Sequence, residues 1–172
     1  KMPVEEDETQ AGVATEEAPQ EVPTIAADLT REVMDKAIAA SVGKVPSKIF
    51  HVVQSSVWEK ALSDDIDYFP PTYEQDGFIH ATHDAALLVE VLNHFYKDVQ
   101  DTFLCLELDS AKLASPVVME APAPVGDKSA EGGPAPTAFP HIYGAITPRE
   151  CVSRKLPVVR GEDGTFLHIE GI

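Results

Sequence analysis

The chain has 172 residues, 44% of them hydrophobic and 24% charged, with a formal net charge of −16. That is apolar material for one folded core and not for two. Residues 47–172 carry nineteen acids against nine basic side chains. Binding a nucleic-acid backbone depends on clustered Lys and Arg that release counterions, and the one local group, Arg149, Arg154, Lys155 and Arg160, is too sparse, so no nucleic acid is expected as a partner. No apolar run approaches the roughly 20 residues of a membrane-spanning helix, so no membrane partner is expected either.

Residues 1–26 hold seven acids against one Lys and are rich in Glu, Ala, Pro and Thr. They cannot bury enough apolar surface to offset the entropy of ordering, which predicts a disordered acidic leader. Over 27–46 the character changes. Leu29, Val33, Ala37 and Ile38 recur at helical spacing over 28–42, and Gly43 and Pro46 end the run, giving an amphipathic helix and linker. This helix either packs on the domain that follows or, with the leader, recruits a protein partner through residues 1–46.

A compact domain is expected over 47–172. Lys48–Gln54 (KIFHVVQ) reads as a first strand. Ser56 and Glu59 have capping-box spacing at the start of a short helix that carries Trp58. Tyr68–Gly77 reads as an ordered loop, and Gly77–Thr82 (GFIHAT) as a short strand. Thr82 then stands as the cap of a helix over about 83–97, with Leu87, Leu88, Val91, Leu92 and Phe95 on its apolar face. Thr102–Leu108 and Pro116–Glu120 read as the next strands.

The segment 121–138 is rich in Pro, Gly and Ala. It is long enough for a functional flap, while a flexible, tolerated insertion is the simpler reading. Phe139–Gly144 (FPHIYG) restores order, Thr147 to Glu150 repeats the capping-box spacing, and Cys151–Arg160 and Thr165–Ile169 close the domain as strands. Short helices among strands that do not alternate regularly argue an α+β domain around one curved sheet, mixed or antiparallel, with two or three helices. Cys105 and Cys151 sit in apolar stretches without Cys-x-x-Cys spacing. With no secretory signal in view, reduced buried thiols and a cytoplasmic location are expected.

The chemistry rests on three histidines in matching settings: His51 in IFHVV, His80 in GFIHAT and His141 in FPHIYG. Each lies on or beside a strand, where a buried imidazole without a partner costs about 1–3 kcal/mol. Three such placements suggest a shared pocket, with His51, His80 and His141 as catalytic candidates. The bland alternative gives each ring its own backbone partner. Trp58 could form a wall for a flat ring, with Phe78, Thr82, Glu120 and Tyr143 as further ligand contacts. Tyr143 follows His141 by two residues and would share its sheet face. Glu107, in LCLEL, would alternate out to solvent. The markers of a zinc site are missing, so no metal is expected.

The order IFHVV, Trp58, GFIHAT, HFYKD, FLCLELD, VVMEAP and FPHIYGAI resembles the family known as domain of unknown function 952 over about residues 48–159. Ala81-Thr82 stand where that family commonly has Cys-Ser or a similar pair. The family is similar in fold to the ADP-ribosyltransferase superfamily. That similarity implies an NAD- or nucleotide-type small-molecule ligand. It would make His51 a first-strand ribose contact, place His80 on the second strand, and have His141 and Tyr143 complete the cleft. A transferase or hydrolase of ADP-ribosyl type is the implied enzyme, and a late catalytic Glu has no secure counterpart in the chain.

Overall fold

The computed structural model describes residues 24–133 and 138–172, with side chains from 31 onward. The leader expected over 1–26 therefore lies almost wholly outside the described residues. Its last three positions instead open the first helix, α1 (Thr24–Ser41). The strands follow as β1 (Lys48–Gln54), β2 (Ile79–His80), β3 (Phe103–Asp109), β4 (Val117–Glu120), β5 (Phe139–Ile142), β6 (Val152–Arg160) and β7 (Phe166–Ile169). Three further helices, α2 (Ser55–Asp64), α3 (Tyr73–Asp76) and α4 (Leu88–Phe95), lie between β1 and β3.

All strand pairings are antiparallel. One sheet has the order β1-β3-β6-β7 and the other β2-β5-β4. The backbones of Phe50 and Thr82 exchange hydrogen bonds of 2.7 and 2.9 Å, so the second sheet continues from β1 as a curl of the first. The fold is thus α+β, with an antiparallel sheet and four helices among the described residues.

β1 explains the arrangement. Its five residues Ile49 to Val53 are all buried, as expected of a strand covered on both faces. One face directs Ile49 and Val53 toward Trp58 of α2 and toward Ile79 and Ile142 of the curled sheet. The other directs Phe50 and Val52 toward Leu88 and Leu92 of α4, with Phe103 and Phe166. The apolar run IFHVV therefore serves two cores, and the histidine within it falls on the Trp58 side by alternation.

Two helix starts differ from expectation. α2 begins two residues earlier than its capping box would place it, with Gln54 at the cap and no side-chain bond there. Ser56 instead donates to Asp101. The long helix over 83–97 shortens to α4 behind a single 3-10 turn (Ala85–Leu87), capped by Asp84, whose carboxylate accepts from the Ala86 amide at 2.9 Å. The Thr82 hydroxyl accepts from Asp84 N instead of capping a helix. Thr147 to Glu150 forms a turn, because the Thr147 hydroxyl donates to Asp67. Glu107 is not at solvent: it is 7% exposed and held by Lys48 and Arg154, each at 3.3 Å.

α1 packs against β4, and the Ser41 hydroxyl accepts from the Met119 amide at 3.0 Å, covering that sheet edge. A role for residues 1–46 in recruiting a partner rests largely on residues outside those described. Cys105 and Cys151 are free thiols and both are buried. Among the described residues no helix is long and apolar enough to cross a membrane.

Candidate functional site

The curled sheet presents one face to the domain interior and another to a hollow. Antiparallel register sets His80 opposite His141, and Val118 on the far side of His141. With a period of two, Ile79 and Ile142 then enter the core while His80 and His141 share the opposite face. Their ring centroids lie 5.3 Å apart, edge to face. Phe78 stacks on His141 at 4.1 Å and 20°.

Each of these two rings is held by a carboxylate. His80 Nε2 donates to Asp76 at 3.2 Å, and the Asp76 side chain is 4% exposed. The i,i+4 spacing does this across the end of α3, where Gly77 takes φ +78 and turns the chain into β2. His141 Nδ1 donates to Glu120 at 2.9 Å, and the Tyr143 hydroxyl donates to the same oxygen at 2.7 Å. His141 and Tyr143 thus share a face and a partner.

Burial pushes His80 down to about 4, helped by the neighbouring His141 and opposed by Asp76. Burial also lowers His141, against the pull of Glu120. Both rings are therefore neutral near pH 7, with the N–H on the nitrogen that faces the carboxylate. That leaves His80 Nδ1 and His141 Nε2 as acceptors.

These two rings line a hollow that is partly open to solvent. Phe50 and Val52 of β1, Thr82, and Val91 and Phe95 of α4 also line it. The segment after β4 covers it: Pro122, Ala123, Val125 and Ala130 all line the cavity. This cover is pinned at four points, one of them the Gln75 side-chain amide donating to Asp127 at 2.9 Å. The Gly126 amide donates to both Asp76 oxygens at 3.0 and 3.3 Å, Lys128 pairs with Asp98 at 2.7 Å, and His94 donates to the Ser129 carbonyl at 2.8 Å. Within the expected excursion 121–138, residues 121–133 thus form a fitted lid, and 134–137 lie outside the described residues.

The third histidine stands elsewhere. His51 is 3% exposed, and both of its ring nitrogens are engaged. Nδ1 donates to the His80 carbonyl at 2.6 Å, and Nε2 accepts from the Tyr68 hydroxyl at 3.2 Å. Burial lowers it to about 4. It touches the backbone of β2 but faces the core and does not line the cavity. Trp58 is 1% exposed and packs edge-on against Tyr68 in that same core, so it offers no surface to a ligand. The fold therefore brings together two of the three imidazoles, with Phe78, Glu120 and Tyr143 around them and Thr82 on the cavity wall. His51 and Trp58 fall on the other face because alternation along β1 and the packing of α2 place them there.

Three contributors are not apparent in the sequence pattern. Asp76 lies in the stretch read as an ordered loop, and its i,i+4 spacing to His80 is the local signal for the pair. Tyr96 lines the cavity, and burial followed by the Asp76 charge raises its phenol well above the ordinary range. The lid residues carry no signal beyond composition. Among the described residues, no group of three or more His, Cys, Asp or Glu side chains is placed to hold a metal ion.

Against known proteins, residues 52–154 match the family described as "Protein of unknown function (DUF952)". The chain belongs to this family. The match runs from within β1 to within β6 and includes both imidazole–carboxylate pairs. Among solved structures, protein CC0527 from Caulobacter crescentus is similar at 21% identity and a TM-score of 0.53, over 70% of this chain and 93% of that one. A double mutant of the same protein matches at 20% identity with the same TM-score and coverage. This likeness concerns the fold alone. Among curated proteins, none matches the chain.

Proposed function

We propose that the chain binds a small molecule in the lidded cavity, against His80 and His141, and that His141 accepts a proton there. The observation that carries this reading is the pairing of the two rings: 5.3 Å apart, each tied to a carboxylate by one nitrogen, at the wall of the same hollow. A histidine that only stabilises a core needs a partner but gains nothing from standing beside a second desolvated imidazole.

Within that class the specific reading is an NAD- or nucleotide-type ligand and transfer or hydrolysis of an ADP-ribosyl group, as the likeness to the ADP-ribosyltransferase superfamily suggests. Among the described residues no Lys or Arg lines the cavity, so the nicotinamide end would enter it and the phosphates would stay at the mouth. His141 Nε2 would take the proton of the attacking water or hydroxyl. The new bond forms at the ribose carbon as the bond to the nicotinamide nitrogen breaks, and that nitrogen keeps the electron pair. Glu120 would hold the resulting imidazolium, and the neutral resting state of His141 suits a proton acceptor.

The test is thermal unfolding of the full chain with millimolar NAD, nicotinamide or ADP-ribose. NAD and nicotinamide are expected to raise the midpoint by a few degrees, and His141→Ala to abolish the rise. The absence of a shift with all three compounds removes the nucleotide reading.

A further inference from the structure

The cavity walls are aromatic. Phe50, Phe95, Tyr96 and Phe139 supply four rings to one hollow. The imidazoles turn their N–H groups away from a ligand, toward Asp76 and Glu120. A carboxylate can only accept a hydrogen bond, so each ring is left with a lone-pair nitrogen, and neither nitrogen meets a partner among the described residues. His141 lines the cavity and is 2% exposed as a residue. Trp58 Nε1, in the other core, is the one fully sealed side-chain nitrogen or oxygen without a partner among the described residues.

The electrostatics of this arrangement have a sign. An anion entering the hollow would lose its hydration and meet lone pairs backed by two carboxylates, with no Lys or Arg among the described lining residues to compensate. A flat cation would meet ring faces, whose quadrupole attracts positive charge, and acceptors for its N–H groups. The backing carboxylates add to this attraction, Asp76 the more because its side chain is 4% exposed, while that of Glu120 is 36% exposed and partly screened by water.

We propose that the cavity selects a flat, positively charged ring compound carrying N–H donors, of pyridinium-carboxamide or amidinium type, and rejects carboxylates and phosphates from its interior. The inference rests on the reading of this cavity as a ligand site and adds the charge of the occupant. A nicotinamide ring carrying its positive charge belongs to this class.

Two matched sets of probes test it on the full chain at pH 7.5 by calorimetric or NMR titration. The first is 1-methylnicotinamide, nicotinamide and nicotinate, and the second is benzamidine and benzoate. The cations are expected to bind at least tenfold more tightly than the anions, with neutral nicotinamide between. Glu120→Gln keeps the side-chain shape, and is expected to narrow the cation-to-anion ratio severalfold with an unchanged circular dichroism spectrum. Anions binding as tightly as cations would overturn the charge selection while leaving the ligand site standing. A ratio unchanged in Glu120→Gln would overturn the part given to Glu120. Failure of every probe to bind at millimolar concentration would overturn the ligand site and the selection together.

Discussion

Asp76 accepts a hydrogen bond from the Gly126 amide at 3.0 Å, which ties the turn ahead of β2 to the lid across fifty residues of chain. The same carboxylate holds His80. Lid closure and the orientation of a cavity imidazole therefore share one buried group, and a ligand that engages His80 acts on the anchor of its own cover.

Asp76→Asn keeps the shape but removes the charge and part of the acceptor capacity. Hydrogen bonds to charged groups contribute about 1.5–3 kcal/mol, so a loss of that order is expected, felt first at the lid. Hydrogen exchange over 121–133 should accelerate severalfold while β1 and β3 stay protected. Unchanged exchange in the lid would separate it from Asp76.

His51 predicts a different phenotype. Replacing it by Ala removes a buried ring and leaves the Tyr68 hydroxyl and the His80 carbonyl short of partners. A destabilisation of roughly 2–4 kcal/mol in urea unfolding is expected. Folded His51→Ala protein should still bind a cavity ligand within a few-fold of the wild-type affinity, because the ring faces away from the cavity.

Stability should fall with acid in a defined window. Burial lowers His51 and His80 to about 4, whereas in the unfolded chain an imidazole titrates near 6.5. Between these values the unfolded state binds more protons than the native state, so falling pH favours unfolding. The contribution of neutral burial is whole above about pH 6.5 and lost by about pH 4. At about 1.4 kcal/mol per unit of pKa difference, each ring accounts for roughly 3 kcal/mol. Urea midpoints at pH 7, 5.5 and 4.5 check this, and His51→Leu should make the dependence shallower.

The thiols should be inert while the chain is folded. Burial pushes Cys105 up to about 12 and also raises Cys151, and the thiolate is the reactive form. Iodoacetamide should leave the native protein unmodified and add two labels once it is unfolded, as read by mass spectrometry.

Much of the fold was legible because strand signals are local. β-Branched runs such as KIFHVVQ and FLCLELD, bounded by turn residues, mark β1 and β3 to within a residue or two. Helix starts were less legible, since Ser56 and Thr147 spend their hydroxyls on Asp101 and Asp67 across the fold, contacts that no local pattern reveals. The site divides in the same way. His80 and His141 share a face because antiparallel register sets them opposite each other, and Tyr143 follows by simple alternation. His51 looks identical in sequence, but β1 is covered on both sides, and for such a strand the pattern does not say which face meets the cavity. The lid was the least legible part, because small residues and prolines read alike in a solvated loop and in a cover held by Asp76.

The most direct measurement follows the histidine ring resonances of the full chain by NMR as 1-methylnicotinamide is added. The account predicts that the His80 and His141 rings shift together and saturably, while those of His51 and the exposed His168 stay in place. Titration that leaves both cavity rings unmoved, or moves His168 instead, would contradict it.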